Sequence, residues 1–325
     1  VGASGITVLP EKSGSAVVED NWISNSKAGP FMEQEEPNKF YGAQVISEEV
    51  AESVLVSGNV LHDITGFGLN VGMLAGVNLE ISNNELVSIP WAISVQGDAM
   101  IKGNRVYDSR LLLTTNSSSR GISLEGNEFR DAVDDDFDLT DSEFKNGLDE
   151  IKLRLLISSS EMPETSGGYE PVRIEGNIFA DLGGNVVAPV SVNPETFAEK
   201  VILRHNVFER STGSNFLLSN AGEVEATENR FVGAAAELSD VVSSSLLVHV
   251  GLYLISKSDS DMKMVTISQN HFQDYGNGHA LAFGHLGEGD ARTYTVEDNV
   301  FLRGHLLTFV DAAGYGATNL TMKGN

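Results

Sequence analysis

The clearest pattern along the chain is a short polar and apolar unit that recurs over its whole length. The unit is an apolar residue, two turn residues, Asn, any residue and a second apolar residue, as in the segment Val56–Leu61. Other copies run over Val18–Ile23, Ile81–Leu86, Ile101–Val106, Leu124–Phe129, Ile174–Phe179, Leu203–Phe208, Ala226–Phe231, Ile267–Phe272 and Val296–Phe301, with a shortened copy over Met322–Asn325. Self-similarity at a period of a few tens of residues is typical of solenoid folds.

Each copy predicts two short strands on either side of a sharp turn. Alternating apolar residues such as Val172 and Ile174 indicate a half-buried strand before the turn. We expect the Asn itself to adopt the left-handed conformation that the turn requires, because Asn tolerates it better than other residues with a Cβ. Asn side chains of successive coils then stack and hydrogen-bond along the solenoid. The predicted ladder consists of Asn59, Asn84, Asn104, Asn127, Asn177, Asn206, Asn229, Asn270 and Asn299.

A third apolar strand follows each pair, for example Gly184–Val190, Gly278–Phe283 and Gly304–Phe309. Before it, a second turn is expected at the residues Asp63, Asp108, Asp131, Asp181 and Asp274. Three strands per coil predict an all-β fold, a right-handed parallel β-helix of about eleven coils, as a single domain over residues 1–325. A β-sandwich or propeller would need hairpin signals such as Asn-Gly between its strands, and these are scarce.

Composition narrows the range of partners. The formal net charge of -25 argues against binding to nucleic acid and weakens the case for an acidic polymer. No apolar run is long enough to cross a membrane, so we expect no membrane insertion. The absence of cysteine neither requires nor excludes export, and the charge fits a secreted or cell-surface protein. Because the chain starts in a strand-like stretch and stops at a turn, we expect a piece of a longer polypeptide with flanking domains.

Catalytic groups are expected on an exposed sheet face, and the third strand of each coil supplies few. If Leu281 and Phe283 face the core, the outward residues of the third strands are small and neutral. The predicted outward set is Ala282, Gly284, Thr308, Val310, Ala188, Val190, Leu218 and Asn220. A face of this kind offers no general acid, general base or charge clamp.

Two strands depart from this neutral pattern. Alternation predicts that Lys152 and Arg154 leave the core together, and that His249 and Tyr253 do so on a later strand. These four residues are the ligand-surface candidates, since such groups can contact or cleave a uronate polymer. Two coils separate the two strands, about 15 Å, which is too far for both pairs to act on one bond.

An acidic run within a predicted insertion is a candidate for Ca²⁺. Asp134, Asp136 and Asp138 alternate in the manner of oxygen ligands, but the run lacks the Gly and the distal Glu of an EF-hand loop. A solvated acidic loop is the alternative interpretation.

The repeats resemble those of the pectate-lyase-like β-helix superfamily across nearly the whole chain. Residues 150–325 are similar in order to the catalytic half of the chondroitinase B and alginate lyase family. The similar segments are Glu150–Arg154, Val172–Phe179 and Asn206–Gly213.

The resemblance implies a Lys base and a catalytic Arg, but the corresponding places fall near Ser191 and Ser219. Neither serine can replace these groups. The family's Ca²⁺-binding acids would fall around Asn185–Ala188, which is also unsuitable. Some family members carry a second β-helix with no active site, and this chain is similar to such a module.

We therefore expect a non-catalytic β-helix module of a secreted carbohydrate-active or cell-surface protein, serving as scaffold or glycan-binding surface. The first alternative is an active polysaccharide lyase that cleaves alginate or chondroitin by β-elimination. The second is a trimeric viral tailspike or adhesin shaft.

Overall fold

The protein is a parallel β-solenoid built from three long sheets. The structure, a computed structural model, describes residues 4–8, 14–24, 41–46, 52–72, 78–117, 122–132, 155–159, 171–182, 190–194, 198–211, 215–219, 221–233, 250–256, 263–275, 278–285, 292–311 and 318–325. Strands and turns account for these residues, and none of them lies in a helix.

Three sheets contain all the described strands. Sheet A consists of β1 (Ser4–Val8), β4 (Tyr41–Ile46), β7 (Phe67–Gly72), β10 (Trp91–Gln96), β13 (Leu111–Ser117), β16 (Leu155–Ser159), β19 (Val190–Pro194), β22 (Phe216–Ser219), β25 (Val250–Ser256), β28 (His279–His285) and β31 (His305–Asp311). Sheet B consists of β2 (Ser15–Glu19), β5 (Ser53–Ser57), β8 (Asn78–Ser82), β11 (Ala99–Lys102), β14 (Ile122–Glu125), β17 (Val172–Glu175), β20 (Ala198–Arg204), β23 (Ala221–Thr227), β26 (Met264–Ser268), β29 (Arg292–Glu297) and β32 (Thr318–Lys323). Sheet C consists of β3 (Trp22–Ser24), β6 (Val60–His62), β9 (Glu85–Val87), β12 (Arg105–Tyr107), β15 (Glu128–Arg130), β18 (Ile178–Ala180), β21 (Val207–Ser211), β24 (Arg230–Gly233), β27 (His271–Gln273) and β30 (Val300–Leu302).

The chain visits the three sheets in turn, and each circuit is one coil. Neighbouring strands within a sheet are therefore three elements apart in sequence, and the pairing of the described strands is parallel throughout, as for β7 with β10. This order confirms the predicted all-β right-handed parallel β-helix with three-strand coils.

The core is a set of columns that run along the solenoid, one residue from each coil. The inner column of sheet C holds six consecutive phenylalanines whose ring centroids are 4.7–5.6 Å apart, close to the spacing of the strands. They are Phe129, Phe179, Phe208, Phe231, Phe272 and Phe301. Stacked aromatic pairs contribute about 0.5–1.5 kcal/mol beyond their burial, so this column ties the second half of the solenoid together.

The Asn ladder runs unbroken along the turn between sheets B and C. The backbone N–H and the Nδ2 of each Asn donate to the Oδ1 of the Asn one coil later; for Asn84 and Asn104 the distances are 3.0 and 2.9 Å. The Nδ2 also donates to a backbone carbonyl of the preceding coil, as from Asn84 to Val56 at 2.9 Å. The nine predicted asparagines are joined by Asn21 at one end and Asn325 at the other.

The left-handed residue of this turn is not the Asn, as predicted, but the residue before it. Positive φ occurs at Gly58, Gly103 and Gly126, and at non-glycine residues such as Gln269, with a φ of 57°. The Asn stays out of this region because its amide must point inward to reach both neighbouring coils. The second turn is as expected, since all five predicted Asp residues have positive φ.

Just before and at the start of β22, two consecutive residues are buried, which breaks the alternation of inward and outward side chains. Asn215 and Phe216 are both buried, so the following inward residue is Leu218, which lies in the core and not outside as predicted. Val190 was also expected outside; its backbone pairs with Leu155 and Phe216, and its side chain is not among those that the structure describes. Leu281 and Phe283 face the core as expected.

We expect Asn177→Ala to lower the free energy of unfolding by about 3 kcal/mol or more, because it leaves several buried groups unpaired. It removes the acceptor of the Asn127 N–H and Nδ2, each at 2.9 Å, and the donor to the Leu124 carbonyl. Urea unfolding followed by circular dichroism measures the loss. Asn21→Ala at the half-exposed ladder end is the control, with an expected loss of about 1 kcal/mol. Equal losses would contradict a ladder whose interior is the stabilising part.

We expect Gln269→Gly to raise the free energy of unfolding by about 0.5–1 kcal/mol, because glycine relieves the left-handed strain at an exposed position. Gly126→Ala is the reverse experiment: an added Cβ meets nothing within 4 Å, so only backbone strain changes. It should lose about 1 kcal/mol in the same unfolding assay. A stabilising Gly126→Ala would contradict the assignment of this turn.

Candidate functional site

The outer face of sheet A carries a column of uncharged hydrogen-bonding side chains. Gln44, Asn70, Ser94 and Thr114 occupy paired positions on β4, β7, β10 and β13, and each is half-buried. Because strands in a sheet are about 4.8 Å apart, the column presents a donor or acceptor at each of these four coils. We call this column the amide–hydroxyl column.

An aromatic pair flanks the amide–hydroxyl column at the start of the strands. The rings of Phe67 and Trp91 stack with centroids 4.4 Å apart and planes inclined by 29°. Both side chains are half-buried, and they pair directly across β7 and β10. Gln96, at the far end of β10, is exposed. The face thus combines apolar rings with neutral amides and hydroxyls.

Charge is segregated between the sheets. In the described strands of sheet A, the only Asp, Glu, Lys or Arg is Asp311. Sheet B instead exposes charged columns that include Arg173, Glu175 and Glu225. In a chain of net charge -25, a whole sheet with one charged residue is a distinct surface.

The predicted candidate Tyr253 is not an exposed surface residue. It leaves the main core, as alternation predicted, but it is only 6% exposed because it packs with Val250 and Ala282 in a separate apolar cluster. Burial raises the pKa of the Tyr253 phenol. A covered, protonated phenol with no carboxylate beside it in that cluster is a packing group.

The other predicted candidates lie outside the described residues: Lys152, Arg154 and His249, and the Ca²⁺ candidates Asp134, Asp136 and Asp138. Within the part of the chain that the structure describes, no group of three or more His, Cys, Asp or Glu residues is placed to hold a metal ion. Ser191 and Ser219, the places expected for the lyase Lys and Arg, belong to β19 and β22 of sheet A.

Sheet C carries a charged network across the middle coils. The Tyr107 hydroxyl donates to Glu128 Oε2 at 2.9 Å, and Arg130 also binds the Glu128 carboxylate. Burial, this hydrogen bond and the negative charge of Glu128 raise the pKa of Tyr107 to about 12. Burial also raises the pKa of Glu128, but the bonds from Arg130 and Tyr107 outweigh it, and the pKa lies below its usual value.

The arginines of this network are matched by carboxylates. The Glu209 carboxylate lies 2.9 Å from the guanidinium of Arg210 and 3.8 Å from those of Arg130 and Arg230. Arg210 also forms a two-point pair with Asp181, at 2.7 and 2.6 Å. The ion pairs link neighbouring coils. Because each cation already faces an anion, the network leaves little positive potential to attract an anionic ligand.

An exposed aromatic stack on sheet C had no signal in the sequence. Trp22 on β3 is 71% exposed, and its indole lies on the His62 imidazole with centroids 5.4 Å apart and an interplanar angle of 14°. His62 Nε2 is 3.8 Å from Glu85 Oε1. The residues come from successive coils far apart in the chain, so only the register of β3 on β6 brings them together.

Comparison with known proteins assigns no family. No protein-family model matches the chain, and no curated protein and no solved structure matches it either. The described residues include no helix with the length and apolarity needed to span a membrane. The parallel β-helix is therefore established by the structure, whereas the resemblance to the lyases remains a hypothesis.

We expect alkaline pH to weaken the fold through Tyr107. Its folded-state pKa is about 12 against 10.0 for the free group, so its contribution is fully present below pH 10 and is lost as the pH rises towards 12. Tyr107→Phe should therefore show a shallower fall in unfolding free energy over this interval than the wild type, measured by urea unfolding at several pH values. Parallel curves would contradict the raised pKa.

Proposed function

We propose that the chain is a non-catalytic β-helix module that binds a neutral glycan on the outer face of sheet A. The observation that carries the proposal is the amide–hydroxyl column beside the Phe67–Trp91 pair, on a sheet almost without charge. Glycan hydroxyls hydrogen-bond to amides and hydroxyls, while the apolar faces of sugar rings pack on aromatic rings. Rigid strands hold these groups in place before the ligand arrives.

The charge distribution favours a neutral glycan over a uronate polymer. The described residues of the coils that carry β4, β7 and β10 include no Lys or Arg, whereas Glu19, Glu80 and Asp98 are among the acids in this part of the chain. Lys102, Arg105 and Arg110 come only on the coil of β13. A polyanion lying along these coils would meet uncompensated negative charge. A neutral chain meets no such repulsion.

The same surface offers few groups for catalysis, which fits a non-catalytic scaffold. The sheet A strands that carry the column have no Asp, Glu, His, Lys or Cys among their residues. General acid–base catalysis needs such groups within hydrogen-bond reach of the reacting atoms. We therefore retain the lyase alternative only as an outcome of the test below.

Affinity electrophoresis tests the proposal directly. The full chain is run in gels containing a neutral glucan, galactomannan or xylan, and in gels containing alginate, chondroitin or pectate. We expect retardation by at least one neutral glycan, and a roughly tenfold weaker affinity for Asn70→Ala, which removes a donor and an acceptor together. Thr266→Ala, an outward and half-buried residue of sheet B, is the matched control and should bind as the wild type does.

Three results would contradict the proposed glycan binding. Retardation by anionic glycans alone, or equal affinities of Asn70→Ala and the wild type, would exclude this face. Release of ultraviolet-absorbing unsaturated uronates from alginate or chondroitin would establish the lyase instead.

A further inference from the structure

We infer that the exposed stack on sheet C is a second glycan contact, at which one uncharged sugar ring packs on Trp22. This inference rests on the proposed function for its ligand class but concerns a different face of the solenoid. We call Trp22, Val60 and His62 the Trp22 platform; Val60 is the direct neighbour of Trp22 across the sheet.

The platform is ordered before any ligand binds. Trp22 stands on an outward column of sheet C, and His62 supports one side of its indole at 5.4 Å with the planes nearly parallel. A side chain already held in one rotamer loses little freedom on binding, and this saving strengthens association. Burying a large apolar side chain favours association, and Trp22, at 71% exposed, has most of its surface still to bury.

Polar groups at the edge of the platform suit hydroxyl donors. Glu85, on the coil after His62, is partly exposed, with 42% of its side-chain surface open to water. It lies about 10 Å along the column from Trp22, since two strand spacings separate them. A ring stacked on Trp22 and continued by a second sugar unit would bring hydroxyls to this carboxylate.

The charge of the described residues around the platform disfavours an anionic ligand. Asp20, Asp63 and Glu85 lie on the turns and strand around the platform, and the described residues of these coils include no Lys or Arg. A cation is the other ligand that an aromatic face attracts. At an exposed site, however, a cation–π contact is weak, whereas stacking of a flat ring still buries apolar surface.

Tryptophan fluorescence separates the two proposed faces, because the chain has two tryptophans and each face holds one. Acrylamide quenching is measured for the wild type and for Trp22→Phe, and the difference isolates the Trp22 signal while sheet A stays intact. We expect a saturating neutral oligosaccharide, chosen from a glycan retained in electrophoresis, to protect Trp22 from acrylamide. Trp22→Ala should bind that oligosaccharide about fivefold to tenfold more weakly.

Val17→Ala is the matched control, because Val17 is 58% exposed on the sheet B face of the same coil. Its affinity should equal that of the wild type. If the glycan binds and responds to Asn70→Ala but the Trp22 quenching does not change, the second contact is wrong and the proposed function stands. If no glycan binds in either assay, both are wrong. If only an anionic sugar or a quaternary ammonium compound protects Trp22, the ligand class is wrong.

Discussion

The buried amide of the ladder asparagine is the interaction on which the rest of this structure depends. One side chain satisfies two donors of the coil before it and reaches back to that coil's carbonyl, as Asn177 does for Asn127 and Leu124. A carboxylate lacks the donor and a hydrophobic residue lacks both groups, so neither completes the pattern inside the core. Because each coil is tied to the next at the same turn, the strands stack in register and side chains of successive coils form straight columns.

Columns give the three sheets different surface chemistries. Sheet A is nearly free of charge, whereas sheets B and C carry alternating ion pairs such as Arg210 with Asp181. This separation places neutral hydrogen-bonding groups and aromatic rings together on the strands of sheet A. A polymer with a repeating unit matches a surface whose side chains repeat from coil to coil. The proposed glycan binding depends on this match.

The sequence was enough to predict the fold, because the repeat marks a turn that each coil must make. Local pattern failed where neighbouring coils decide the outcome. The left-handed residue precedes the Asn since the amide must face inward, and Leu218 is inside since it alternates with the buried Phe216 on β22. Tyr253 is outward as expected yet covered, because alternation predicts direction and not exposure. The Trp22–His62 stack has no local motif and follows only from the register of distant segments.

Hydrogen exchange at the ladder turns tests the central claim most directly. In most folds the amides of a tight turn exchange quickly, since water reaches them. Here the backbone N–H of Asn84, Asn104 and Asn206 is buried and bonded to the next asparagine's Oδ1 at 3.0 Å. Residue-resolved exchange should therefore find these turn amides as slow as those of the central strands. Exchange at the rate of open turns would contradict a continuous ladder and, with it, the aligned faces on which both proposed glycan contacts depend.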